Sequence, residues 1–422
     1  MKYKFHKGLD LNMGAGPTDS LPELAQVSKV ALSGNDFPGI SFDLLVAEGD
    51  TVSAGQVLFI DRNRHDIRFV TPVSGQITNI TLGARRRLDT LVMSVEGNEA
   101  IHFDTSLASI NAAGLKSLLL ASGAWAGFRS RPFGDIPNPD ERPAAIFVTA
   151  TDTNPLAADP AAVLSSQLDI FQQGADSLLH LTDGPVYICQ APGSPLVQAQ
   201  GRLKIATFAG PHPSGLAGTH IHHLMPVSKQ RSVWEINYQD LAAIGSLLTT
   251  GRIMGSRTLS LAGSGITKPV FMNAPMGASL TDLIRNKADF KDIQLISGSV
   301  LSGREASYLG RYDLQVTAID RDAATFPVKF FWQRFLDKSS ISPNGATIPM
   351  ESFERALPLN LLPVPLMRAL AVGDIETAER LGCLELLEDD LAILTCLCPS
   401  GSDYGALLRS TLDSLAEEAV TV

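Results

Sequence analysis

Between residues 27 and 97 the chain offers six short strand candidates, Val27–Leu32, Phe42–Glu48, Gln56–Asp61, Phe69–Val73, Gln76–Leu82 and Leu91–Glu96. They follow one another roughly every 8–12 residues, with turn signals such as Glu48-Gly49-Asp50 and Ser74-Gly75 between them, which predicts a small sandwich or barrel. From residue 105 the pattern changes. Helix candidates at Ile110–Ser122 and Ala161–Gln173, the latter closed by Gly174, alternate with apolar runs at 144–150, 184–189 and 204–209. Continuous apolar runs are expected of parallel strands buried on both faces, so this stretch reads as an open, Rossmann-like α/β sheet. Strand candidates return at 257–262, 270–273, 294–298 and 314–319 around a short helix at 279–286, a β-grasp pattern. The remainder reads as mixed from Phe326 and then helical, at 361–371, 375–382, 388–396 and 404–416. The expected fold is therefore α/β multidomain, divided at 1–104, 105–250, 251–325 and 326–422.

Several function classes are excluded early. The net charge of −10 argues against nucleic acid as a partner, because phosphate binding needs a basic surface. The longest apolar stretches, Leu118–Phe128 and Leu359–Val372, are interrupted and fall short of the roughly 18 residues that span a bilayer. The N-terminus lacks an apolar signal core, and four cysteines are too few for a disulfide scaffold. A cytoplasmic chain is expected. In the first module, Val46–Val52, Gly55–Leu58 and Thr71–Ile77 resemble the biotinyl/lipoyl domain. Such domains often carry a modified lysine, but no lysine lies between Lys29 and Lys116, so this module reads as structural.

Three constellations could carry chemistry. The loop Ser122–Gly134 combines Trp125, Phe128 and Phe133 with Arg129 and Arg131. Aromatic faces can stack on a planar ring and guanidiniums donate to carbonyl or anionic oxygens, while the plain alternative is a loop whose aromatics pack inward. The loop follows a helix, not a strand, and so fails the context of a dinucleotide fingerprint. The second is Gly210–His223, with His212, His220, His222 and His223. It fits no usual zinc pattern, and a metal site, a structural turn and a quinone or partner contact all stay open. In an extended segment His220 and His222 would share a face. The third is Cys383, Cys396, Cys398 and Pro399, whose spacing does not match an iron–sulfur motif and reads as buried thiols. No P-loop or Gly-x-Ser-x-Gly elbow is present.

Longer words carry a resemblance to a family. His6–Leu11, Phe128–Phe133, Gly210–His222, Trp234–Asp240, Gly298–Gly303, Tyr308–Tyr312 and Gly382–Leu386 resemble, in this order, the A-subunit family of the bacterial sodium-translocating NADH:quinone oxidoreductases. The resemblance implies a peripheral subunit on the cytoplasmic side of the inner membrane, in a six-subunit complex that passes electrons from NADH to ubiquinone and moves Na⁺. It also implies kinship with the flavin-bearing subunit of respiratory complex I, whose flavin and cluster sites would here be lost; Cys398-Pro399 looks like a relic. No catalytic residue, metal ligand or tightly bound redox centre is then expected. Trp125, Phe128 and Phe133 would form a stacking wall for ubiquinone. Arg129 and Arg131 would donate to its oxygens, His220 or His222 would add a hydrogen bond, and the turn bearing Phe37 and Gly39 would stand beside the wall. The competing readings are an independent flavin-dependent NADH dehydrogenase and a pure scaffold subunit without ligand.

Overall fold

The computed structural model describes residues 1–18, 22–106, 111–288, 292–321 and 347–421. The mixed signal expected from Phe326 to 346 lies outside the described residues. Strands β1 (Lys2–Lys4) and β2 (Glu23–Leu24) precede the first module, which comprises β3 (Lys29–Ser33), β4 (Phe42–Leu44), β5 (Thr51–Val52), β6 (Val57–Asp61), β7 (Arg68–Val70), β8 (Gly75–Leu82) and β9 (Leu88–Ser94). A four-stranded sheet, β3-β9-β8-β5, faces a three-stranded one, β4-β6-β7. Alternation fills the space between them: in β9 Leu91 and Met93 are buried and Thr90 and Val92 less so, and a register shift at the start of the strand lets Leu88 be buried as well.

The second unit contains α1 (Ala112–Ala121), β10 (Arg129–Arg131), β11 (Ile146–Ala150), α2 (Pro160–Leu164), α3 (Leu168–Leu178), β12 (Val186–Gln190), β13 (Leu203–Ala209), α4 (Ala217–Leu224), β14 (Val233–Asn237) and α5 (Tyr238–Thr250). Its sheet runs β1-β13-β12-β11-β14-β10, parallel except for β10. The first two apolar runs are the buried strands the sequence predicts, whereas β13 is half-buried and alternating, with Lys204 exposed, because beyond it the sheet has only the short strand β1. Two further expectations need correction. The helix of Ala161–Gln173 is two helices, and the second runs through Gly174 to Leu178. Gly174 does not stop it; a Cβ there would lie 2.4 Å from the Leu241 carbonyl oxygen, and one on Gly245 would lie 1.8 Å from that of Ile170. The two glycines let α3 and α5 touch backbone to backbone. Residues before β3 also do not stay with the first module: β1 pairs with β13, and β2 with a strand of the third unit.

That third unit holds β15 (Ser256–Ala262), β16 (Val270–Pro275), α6 (Leu280–Leu283), β17 (Ile293–Ser297), β18 (Arg304–Glu305) and β19 (Gln315–Asp320). Its sheet order is β18-β17-β19-β15-β16-β2, and Leu280 and Leu283 of the short helix join its core. Helices at Glu351–Ala356, Pro363–Val372, Ile375–Arg380, Glu388–Leu397 and Tyr404–Thr421 complete the chain around a separate core that includes Phe353, Leu391 and Tyr404. The fold is thus the expected multidomain α/β. Among the described residues no helix is long and apolar enough to cross a membrane.

Candidate functional site

The aromatic loop does not present its rings to a ligand. Trp125 and Phe128 are 1% and 0% exposed. Both lean on Trp234 of β14, with ring centroids 5.3 and 5.8 Å away, and Trp125 Nε1 donates to the Pro137 carbonyl at 2.9 Å. Phe133 packs against the C-terminal helices. The expected stacking wall is therefore replaced at Trp125 and Phe128 by core packing, because β14 brings an indole opposite them.

Strand β10 places Arg129 and Arg131 on one face, two residues apart. Arg131 is 3% exposed; its Nε donates to Glu235 at 2.9 Å and its Nη1 to Asp390 at 3.0 Å. Burial works against its charge, but the Glu235 and Asp390 carboxylates overcome that and push its pKa up. Asp390 also accepts from the Leu387 amide, so this guanidinium ties the α/β sheet to the start of a C-terminal helix. Arg129 lies 4.0 Å from Glu235 and 5.5 Å from the centre of the Tyr312 ring.

Within the histidine-rich segment Ala217–Leu224 is helix α4, so the shared face that an extended segment would give His220 and His222 does not arise. His220 is fully buried, its Nε2 donates to the Ser214 carbonyl at 3.1 Å, and burial drives its pKa down to about 3. His222 is held between Glu385, 2.7 Å from Nδ1, and the Asn360 amide, which donates to Nε2 at 3.1 Å. His223 Nε2 donates to the Pro358 carbonyl at 3.1 Å. Gly218 permits the joint: a Cβ there would sit 2.3 Å from Asp390. The segment docks α4 onto the C-terminal helices. Among the described residues no group of three or more His, Cys, Asp or Glu converges as metal ligands would.

Of the predicted residues, the structure brings Phe37 to a cleft. The turn Gly34–Asp36, opened by Ser33 Oγ accepting from the Asn35 amide, sets Phe37 against Phe69, with ring centroids 4.6 Å apart. Gly39 lies outside the cleft lining. Three units meet at the cleft: Leu32, Phe37 and Phe69 from the first, Ala126 and Leu247 from the second, Met276 from the third. One end is ionic. Asp240, in the first turn of α5, accepts from Arg257 Nη2 at 2.5 Å and from Arg311 Nη1 at 3.1 Å, while Asp36 accepts from the Arg311 amide at 3.0 Å and from Arg304. Burial alone would raise the pKa of Asp240; the two guanidiniums reverse this and hold it below the usual carboxylate range. Arg257 is 4% exposed, and its Nη1 has no hydrogen-bond partner among the described residues. Sequence reasoning missed this ionic end. The available signal was Asn237-x-x-Asp240: Asn237 Oδ1 accepts from the amides of Gln239 and Asp240, as an N-cap does, which makes Asp240 a first-turn residue.

A second cavity lies outside the carboxyl ends of β11 and β14, where the strand order reverses. Its lining includes Asp152, Asp313 and Asp389 and no Lys, Arg or His side chain. Burial raises the pKa of Asp152 to about 6 and that of Asp389 to about 7.

Comparison with known proteins gives three family matches along the chain. They are the NqrA N-terminal barrel-sandwich hybrid domain over residues 3–96, the NqrA second alpha/beta domain over 110–253 and the NQRA C-terminal domain over 258–307. The NqrA subunit of the Na(+)-translocating NADH-quinone reductase of Cellvibrio japonicus is 39% identical, across 98% of this chain and 99% of that one. Its counterpart from Glaesserella parasuis is 40% identical at the same coverage. An NAD⁺-reducing [NiFe]-hydrogenase structure overlaps 74% of the chain and 62% of its own at 11% identity and a TM-score of 0.44, too distant to bear on chemistry.

Proposed function

The chain belongs to the NqrA family, the A-subunits of the Na⁺-translocating NADH-quinone reductases, and from that premise we propose that it serves the quinone side of the complex without a tightly bound redox centre of its own. In this reading it is a peripheral subunit on the cytoplasmic side of the inner membrane, held by other subunits. The observation that carries the reading is the cleft where three units meet, apolar along Phe37, Phe69, Leu247 and Met276 and ionic at Asp240 and Arg257. An apolar slot with a few convergent polar groups suits a ring that carries carbonyl oxygens.

The cavity at the strand-order reversal supports the other half of the reading. Sheets of this kind bind nucleotide phosphates there, using backbone donors and positive charge. Here the lining carries Asp152, Asp313 and Asp389 and no Lys, Arg or His side chain, so the positive charge a phosphate needs is missing. Cys383 and Cys398 are buried, an arrangement suited to packing. The test is to purify the complex with and without this chain and to assay NADH oxidation and quinone reduction separately. Loss of quinone reduction alone is the expected result. Loss of NADH oxidation, or flavin bound stoichiometrically to the lone chain, contradicts the reading.

A further inference from the structure

We propose that Arg257 is the polar anchor of the three-unit cleft, with its unpaired Nη1 donating to a carbonyl oxygen of a quinone-type ring seated against Phe37 and Met276. This rests on the reading that the cleft receives quinone. Four observations lead to it. Arg257 lines the cleft, yet its side chain is almost wholly buried. Its Nη2 is committed to Asp240, whereas Nη1 is buried without a hydrogen-bond partner among the described residues. A buried donor left unmade is costly, so a group that supplies an acceptor there gains the hydrogen bond and relieves the desolvation as well. Finally, the local charges balance: Asp240 is shared by Arg257 and Arg311, while Arg304 pairs with Asp36 and also feels Asp313. A charge-balanced polar cluster beside apolar walls suits a ligand that is uncharged overall but carries an acceptor oxygen.

The proposal separates this residue from its neighbours. Arg311 gives Nη1 to Asp240 and its amide to Asp36, with its guanidinium 5.4 Å from the Tyr312 ring centre. Arg131 is fully engaged in the joint with the C-terminal helices. Of these buried guanidiniums, Arg257 has the orphaned nitrogen.

The test uses the assembled complex and a photoreactive azido-ubiquinone, with ubiquinone-1 as competitor. Three proteins are compared: the parent, Arg257→Lys and Ala243→Phe. Lysine keeps a cation for Asp240 but cannot also serve the second position. Phenylalanine at 243 fills the cleft from α5 and leaves the ion pairs alone. The expected result is labelling of cleft residues in the parent, competition by ubiquinone-1 about tenfold weaker in Arg257→Lys, and no cleft labelling in Ala243→Phe. The KM for ubiquinone-1 should rise by the same factor with kcat little changed. Cleft labelling with parent-like competition in Arg257→Lys overturns the anchor and leaves the quinone reading standing. Labelling outside the cleft that is indifferent to Ala243→Phe overturns both. Should Arg257→Lys fail to fold, the ligand is varied instead. The aromatic diether of the same ring, which lacks both carbonyls, should compete about tenfold less well than ubiquinone-1 for the parent protein; equal competition overturns the anchor.

Discussion

Arg131 and Arg257 are both nearly inaccessible guanidiniums at junctions between units, yet their surroundings have opposite balance. Arg131 stands between two carboxylates, Glu235 and Asp390, and three of its contacts are made within the protein, the last a long one of 3.5 Å to the Glu385 carbonyl. Arg257 shares one carboxylate, Asp240, with a second guanidinium, and keeps a nitrogen without a hydrogen-bond partner among the described residues. The pKa directions follow the stoichiometry. Burial keeps Asp390 raised even beside Arg131, whereas two guanidiniums lower Asp240 despite equal burial. A closed cluster of this kind works as a fastener, and an open one is a place where something else can bind.

The largest effect that would break this contrast is at the fastener. Arg131→Met should destabilise the chain by about 3–5 kcal/mol, because Glu235 and Asp390 would be left buried with no cation between them. Chemical denaturation of the purified chain measures it. The triple variant Arg131→Met, Glu235→Gln, Asp390→Asn should recover most of the loss, since replacing a whole buried cluster is far less harmful than halving it. If the single variant melts like the parent, Arg131 is not what holds the helices to the sheet. The corresponding change at the open cluster, Arg257→Lys, should act mainly on ligand affinity.

How far this was legible depends on range. The strands of the first module and the buried strands at 146–150 and 186–190 follow from alternation and apolar runs, which are local. Gly174 misleads because what it answers to, the Leu241 carbonyl, lies far along the chain. The same holds for Trp125 and Phe128: their residue types suit ligand stacking or core equally well, and only Trp234, on a strand not marked by an unbroken apolar run, decides for core. Phe37 lines a cleft that the sequence did not foretell, without the expected wall of Trp125 and Phe128, and Arg257 and Asp240 were invisible as a pair because they lie on different units.

The next effect in size tests the docking of α4 on the same fastener. Gly218→Ala should cost about 1–3 kcal/mol, since the added methyl falls within 2.3 Å of the Asp390 carboxylate, which Arg131 and the Leu387 amide hold in place. Thermal melting of the variant reads it directly. An unchanged midpoint would mean that Asp390 can move aside, and that the closed cluster is looser than its hydrogen bonds imply.

The smallest effect sharpens the comparison from a third place, the acidic cavity, where a carboxyl has no cation bonded to it. Asp389 makes no hydrogen bond or ion pair among the described residues, and its pKa is raised to about 7, first by burial, with Arg129 pulling the other way. Its folded pKa lies above the unfolded value near 3.8, so the native state holds the proton more tightly. Its contribution to stability is complete below about pH 4 and is lost as the pH rises toward 7. Asp389→Asn removes that loss. The variant should be more stable than the parent at pH 8 by about 1–2 kcal/mol, less than the full shift implies because the carboxyl is partly open to water, and should match it at pH 4. Denaturation curves at the two pH values decide it. A variant less stable at pH 8 would show that the carboxylate is satisfied by a partner, and the cavity would then belong with the closed clusters.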